Sequence, residues 1–181
     1  MRHFLVILPL LSVCSSAFGQ TLQIFREINI APYGTVALGS KFSQRDSLAA
    51  EVLPSLYLLG PGFGGTEGIF VKLKDDDTVA ALLFIYGPDY DYAGSRSDYV
   101  EMLGPQRGST TDEAAQCDVW EDEATRFEMA RVRSAGGFLA ASMMADASPG
   151  DFDVACILLP IARRLAEIRD GVEPSDIRVG M

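Results

Sequence analysis

Histidine is almost missing from this 181-residue chain: the single one, His3, falls in an N-terminal stretch that reads as a removable export signal. Without imidazole there is no Ser-His-Asp or Cys-His relay, no His-ligated zinc, and no side chain that titrates near neutrality unperturbed. Basic residues are scarce, 15 Lys and Arg against 25 Asp and Glu, for a formal charge of −10. Nucleic acid and anionic lipid surfaces are therefore poor partners, and no nucleic-acid partner is expected. The apolar run at 4–11 (FLVILPLL) is interrupted by Pro9 and falls short of the roughly 20 residues that cross a bilayer, and no later segment is long enough. No transmembrane segment is expected in the mature chain.

The same N-terminal stretch has the three parts of an export signal: Arg2, the apolar run, and small residues at Ala17 and Gly19. Cleavage is expected after Gly19, which places the protein in a periplasm or outside the cell. A lipoprotein signal ending at Cys14 fits poorly, because Val13 stands where Gly, Ala or Ser is normal. Residues 20–181 are of a length for one globular domain, with a formal charge of −11 once Arg2 is removed. Cys117 and Cys156 survive cleavage, and an even pair in an exported chain reads as one disulfide closing a loop of about 40 residues. The alternative is two buried, unpaired thiols.

Strands are predicted at 22–30 (LQIFREINI) and 35–38, around a turn at Pro32, Tyr33 and Gly34. Residues 47–53 have helix-forming composition, cut short by Pro54. Residues 69–74 and 79–86 form a predicted hairpin with an acidic tip at Asp75, Asp76 and Asp77; the second strand, VAALLFIY, is apolar throughout and belongs in the middle of a sheet covered on both faces. Residues 87–94 read as a loop, followed by a short helix at 97–103 capped by Ser97 and stopped by Gly104 and Pro105. Strands follow at 116–120, 125–132 and 138–144. A helix over 150–170, kinked at Pro160, closes the chain, with Val154, Leu158, Ile161, Leu165 and Ile168 on its core-facing stripe. The fold class is α+β: an antiparallel sheet of about six to eight strands with a C-terminal packing helix.

Leu59-Gly60-Pro61 recurs as Leu103-Gly104-Pro105, each followed by Gly and Thr at the same offsets (Gly64 and Thr66, Gly108 and Thr110) and then by an acidic tip. The echo suggests a duplicated helix-turn-hairpin unit; coincidence explains it equally well, since Gly and Pro are common in turns. The second copy, a helix ending in Leu103-Gly104-Pro105 ahead of a strand bearing Trp120, resembles small periplasmic lipoproteins of the outer-membrane barrel-assembly machinery. The doubled arrangement resembles the tandem-repeat secreted inhibitors of β-lactamase. These resemblances imply a binding module and assign no functional residue. The chain departs from them in lacking a sound lipobox and in carrying an extra C-terminal helix.

Gly60, Gly62 and Gly65 match the spacing of a dinucleotide fingerprint, but a strand follows where a helix N-terminus is needed. Asp89, Asp91 and Gly94 open like a calcium loop, which fails at Ala93 and at Val100, where a bidentate Glu belongs. No cofactor, metal site or catalytic residue is assigned. What remains is a loop in which Tyr90 and Tyr92 alternate with Asp89 and Asp91, with Arg96 close behind; tyrosines with charged neighbours are common at protein interfaces. The sequence thus points to an exported protein-binding module with an unidentified protein partner in the envelope or medium and with Asp89, Tyr90, Asp91, Tyr92 and Arg96 as its contact residues. Two other readings stand beside it. One is a carboxylate-dependent enzyme on envelope glycans using Glu121, Asp122, Glu123 or Glu128, and the other a purely structural envelope protein.

Overall fold

A strand that is apolar on both faces needs cover on both faces, and Val79–Tyr86 is placed accordingly. The computed structural model describes residues 24–45, 51–61, 65–147 and 156–172; the expected export signal, its cleavage point, Cys14, Val154 and the start of the expected C-terminal helix lie outside them. The strands are β1 (Glu27–Ile30), β2 (Gly34–Ala37), β3 (Glu51–Leu53), β4 (Leu56–Pro61), β5 (Thr66–Leu73), β6 (Val79–Tyr86), β7 (Gly108–Thr111), β8 (Ala115–Glu121), β9 (Thr125–Ser134) and β10 (Gly137–Asp146). Two helices accompany them among the described residues, α1 (Tyr92–Leu103) and α2 (Leu158–Arg169). Neither is long and apolar enough to cross a membrane. The fold is α+β, as expected.

Eight strands form one antiparallel sheet of order β3-β4-β5-β6-β10-β9-β8-β7, and β1 and β2 form a separate hairpin. Two four-stranded meanders, β3 to β6 and β7 to β10, meet where β6 pairs with β10, with Met143 opposite Leu83 and Ala140 opposite Tyr86. Each meander is followed by a helix. One sheet face presents Ile69, Val71, Leu82, Trp120, Phe127 and Met129 to α1 and the β1–β2 hairpin; the other presents Leu83, Ala130, Val132, Leu139, Ala141 and Met143 to the side where α2 packs. Each fully buried Leu, Ile, Val or Met contributes about 1.5–3 kcal/mol relative to exposure, so these two layers hold the sheet.

The sequence echo does not coincide with the observed meanders. Leu59-Gly60-Pro61 lies in β4, whereas Leu103 ends α1 and Gly104 is its C-cap at φ +81°. The Asp75–Asp77 tip joins β5 to β6, whereas Glu121 and Glu123 flank the β8–β9 turn, one turn earlier in the second meander. Residues 51–53, expected as the end of a helix, are strand β3, because Pro54 and Ser55 turn the chain directly into β4. Helix α1 begins before Ser97: Asp91 is its N-cap, its Oδ1 accepting the Gly94 N–H at 2.9 Å. Helix α2 begins, among the described residues, at Leu158, so Pro160 sits in its first turn, where a missing N–H costs no intrahelical bond. Its buried face is Leu158, Leu159, Ala162, Leu165 and Ala166, rotated from the expected stripe toward the alanines that allow close approach to β9.

Candidate functional site

After the last residues of β6 the chain turns through Gly87, Pro88 and Asp89 and enters α1, whose N-terminus overhangs the sheet. An open cleft of about 280 Å³ lies under it, lined by Gly87, Pro88, Tyr90, Asp91, Tyr92, Ala93, Arg131, Phe138 and Ala140. Its floor follows from sheet register: Ala140 on β10 is paired with Tyr86 on one side and Arg131 on the other. Alanine between two long side chains leaves the hollow. Tyr90 closes one wall by stacking on Tyr86, ring centroids 3.8 Å apart and nearly parallel.

Arg131 and Arg133 point to the same face of β9 because strand side chains alternate. The Arg131 guanidinium lies 5.2 Å from the Tyr92 ring centroid and 5.3 Å from that of Phe138, and Arg133 lies 5.6 Å from Phe138. Among the described residues neither guanidinium takes part in a hydrogen bond or ion pair, in a chain where acids outnumber bases. Phe138 is 45% exposed, one of few large apolar side chains left open. A second cleft, of about 130 Å³ beside the exposed Phe25 and Met102, is lined only by apolar side chains and Tyr99. It offers no charge for recognition.

The five expected contact residues divide between two roles. Asp89 and Asp91 are exposed, and Tyr90 is half-buried on the cleft wall. Tyr92 is buried, its hydroxyl donating to Asp118 Oδ2 and to the Met129 carbonyl, both at 3.3 Å. Arg96 grips Asp118 with Nε at 2.7 Å and Nη2 at 3.2 Å. These two fasten α1 to the sheet; the Tyr92 ring also lines the cleft, and the Arg96 side chain stays 34% exposed. Asp118 is fully buried and also accepts from Gln106 and Gln116 at 3.0 and 3.1 Å. Burial alone would push its carboxyl up, but hydrogen bonds from Arg96, Gln106 and Ser109, with the Arg96 charge, hold it below the usual range. Burial, followed by the Asp118 charge, pushes the Tyr92 hydroxyl up, so it stays a neutral donor.

No family model, curated protein or solved structure matches the chain. The resemblances drawn from Leu103-Gly104-Pro105 and Trp120 therefore carry no argument about this fold. Within this fold those residues act locally. The Trp120 indole donates to the Gly104 carbonyl at 3.0 Å and packs beside Phe127 and Tyr99, closing the C-terminal end of α1 onto β8 and β9.

The acids considered for glycan chemistry line neither cleft. Glu128 is buried, pairs with Arg126 at 2.5 Å and accepts the backbone N–H groups of Ile157 and Leu158 at 3.1 and 2.6 Å. Asp122 shapes the β8–β9 turn, Oδ1 accepting from Ala124 and Thr125, and Oδ2 accepts the Ile24 N–H. Glu121 lies 3.9 Å from Arg107, and Glu123 is exposed at the turn.

Cys117 and Cys156, expected as a disulfide, are not at disulfide distance in this structure and are both free thiols. Each sulfur also lies near an oxygen, Cys117 at 4.0 Å from Glu128 Oε2 and Cys156 at 3.9 Å from Thr110 Oγ1. Burial, with the adjacent Cys156 side chain and the Glu128 charge, pushes the Cys117 thiol up, which disfavours its thiolate. Alkylation of native protein followed by peptide mass analysis is expected to label Cys156 ahead of Cys117, with both labelled after denaturation without reductant. Denatured protein that takes up no label until reduced would restore the disulfide.

Arg131 and Phe138 escape a reading of the sequence alone. The available signal is the alternation Arg131-Val132-Arg133, which puts two cations on one strand face, directly across the hairpin from Phe138.

Proposed function

We propose that the protein is an exported, non-catalytic protein-binding module that engages its partner through the cleft between the β6–α1 loop and the β9–β10 hairpin. One observation carries this reading: the open Phe138 ring stands beside Arg131 and Arg133, two guanidiniums without an acidic partner among the described residues. Aromatic and arginine side chains at a concave site are the residue types that supply most binding energy at protein interfaces. The loop bearing Asp89 and Tyr90 forms the rim. Export is supported by Arg2, the apolar run at 4–11 and the small residues before Gln20.

Competition tests this reading. Residues 20–181, immobilised, should retain a saturable protein from the envelope or medium of the host, and free wild-type protein should displace it. A Phe138→Ser, Tyr90→Ala variant that keeps the wild-type melting temperature should compete at least tenfold less well, as expected for loss of an aromatic anchor of about 1.5–2 kcal/mol. Equal competition by that variant would remove the cleft from the binding surface.

A further inference from the structure

Resting on that reading, we infer that the group the cleft receives is a carboxylate carried next to an apolar side chain, with Arg131 as its anchor. Among the described residues, Arg131 is the only cation lining the cleft. Its guanidinium lies near two ring centroids, 5.2 Å from that of Tyr92 and 5.3 Å from that of Phe138, and it makes no hydrogen bond to any described residue. A guanidinium flanked by two rings, with no hydrogen-bond partner among the described residues, is suited to bidentate recognition of a carboxylate. Tyr92 cannot move away easily, because its hydroxyl is fixed by Asp118 and Met129, so one side of the arginine is preset. The preset geometry reduces the side-chain entropy lost on binding.

The remaining groups fit the same ligand. Among the described residues Asp91 is the one acid lining the cleft, and its Oδ1 is committed to capping α1 through the Gly94 N–H. The overhanging end of α1 is its N-terminal, positive end, which favours an anion in the hollow. Phe138, Pro88 and the stacked Tyr90 supply apolar walls, and Arg133, 5.6 Å from the Phe138 ring centroid, adds positive potential nearby. The volume of about 280 Å³ accommodates one amino-acid residue with its carboxylate and leaves the rest of a partner outside. A carboxylate of this kind occurs at the C-terminus of a chain and on an Asp or Glu beside an apolar residue. Both share the chemistry proposed.

The experiment follows amide resonances of ¹⁵N-labelled residues 20–181 while four probes are titrated: acetyl-Gly-Phe as free acid and as amide, and acetyl-Phe-Asp-amide and acetyl-Phe-Asn-amide. At least one acid should shift the resonances of Arg131, Phe138, Ala140 and Tyr90 saturably, with its neutral counterpart at least about tenfold weaker, the ratio expected for a charge-assisted bidentate bond. Response to acetyl-Gly-Phe marks a C-terminal carboxylate, and response to acetyl-Phe-Asp-amide marks a side-chain one. Arg131→Gln should erase the preference for acid, and Arg131→Lys should retain part of it, both at wild-type melting temperature. Equal binding of acids and amides, or no shift in these resonances up to about 10 mM, overturns the carboxylate anchor. Neither result touches the binding-module reading, which falls only if the Phe138→Ser, Tyr90→Ala variant competes as well as wild type.

Discussion

Replacing Glu128 by alanine is expected to destabilise the fold by about 3–5 kcal/mol, the cost of removing one partner from a buried ion pair. Glu128 and Arg126 lie on the α2 side of β9, both almost completely removed from water. The carboxylate serves two structures at once, holding the Arg126 Nε at 2.5 Å and accepting the N–H groups of Ile157 and Leu158 where α2 begins. Ile157, at the N-cap, provides no side-chain cap of its own, so a strand residue supplies the acceptor that a Ser or Asp would supply locally. The variant therefore loses the ion pair and the capping of α2 together. Urea unfolding followed by circular dichroism gives the value; a loss under about 1 kcal/mol would show that the pair does not anchor the helix. A joint Arg126→Met, Glu128→Met replacement should recover much of the loss, since a buried pair exchanged for apolar groups is often neutral. It should stay about 1–2 kcal/mol below wild type, because the two α2 amides still lack their acceptor.

Asp118→Ala is expected to cost about 3 kcal/mol by a related route on the opposite sheet face. Asp118 gathers Arg96 and the Tyr92 hydroxyl from α1, Gln106 from the segment after it, and Gln116 from its own strand. Without the carboxylate, Arg96 loses its acid and the Tyr92 hydroxyl loses one of its two acceptors. Loss should be greatest in α1, so amide exchange should quicken there before it does in β9 and β10. The same residue sets a pH dependence. Its carboxyl titrates below the ordinary value of 3.8 in the folded protein, so its contribution is present above that value and disappears as pH falls through the folded pKa. Stability should decline below about pH 4, and Asp118→Asn should flatten that acid limb while lowering stability at neutral pH. An acid limb unchanged by Asp118→Asn would place the responsible carboxylates elsewhere.

Both residues show where sequence reading stops. Asp118 and Glu128 are acids in a chain with 25 of them, and by sequence Glu128 groups with Glu121, Asp122 and Glu123 as a candidate for glycan chemistry. Alternation says which face of a strand a residue occupies, but the partners of Glu128 come from α2, 29 and 30 residues onward, and two of Asp118's come from α1, 22 and 26 residues back. Only packing brings those segments together. The expected contact loop divides for the same reason: Tyr90 and Tyr92 are two apart, yet once α1 begins at Tyr92 its ring turns inward while Tyr90 remains on the cleft wall. The sequence does not announce β3, β4 or β7, because β3 and β7 are short edge strands of three and four residues, and β4 contains Gly60 and Pro61, which signal a turn.

What the sequence determined by itself is what local chemistry controls. An apolar β6 demanded the centre of a sheet, its hairpin with β5 followed from alternation in β5 and the acidic turn, and Gly104 with Pro105 ended α1. The lack of imidazole beyond His3 and the excess of acids limited the chemistry before any fold was drawn. What tertiary structure decided is everything that depends on long-range register: the joining of two meanders through β6 and β10, the two buried carboxylates that fasten α1 and α2, and the cleft over Ala140. Arg131 and Phe138 become neighbours because β9 and β10 pair side by side, while Tyr90 and Tyr92 reach them only because β6 pairs with β10. Side-chain alternation is fixed within a strand, but which strands lie side by side is settled by burying the most apolar surface at once.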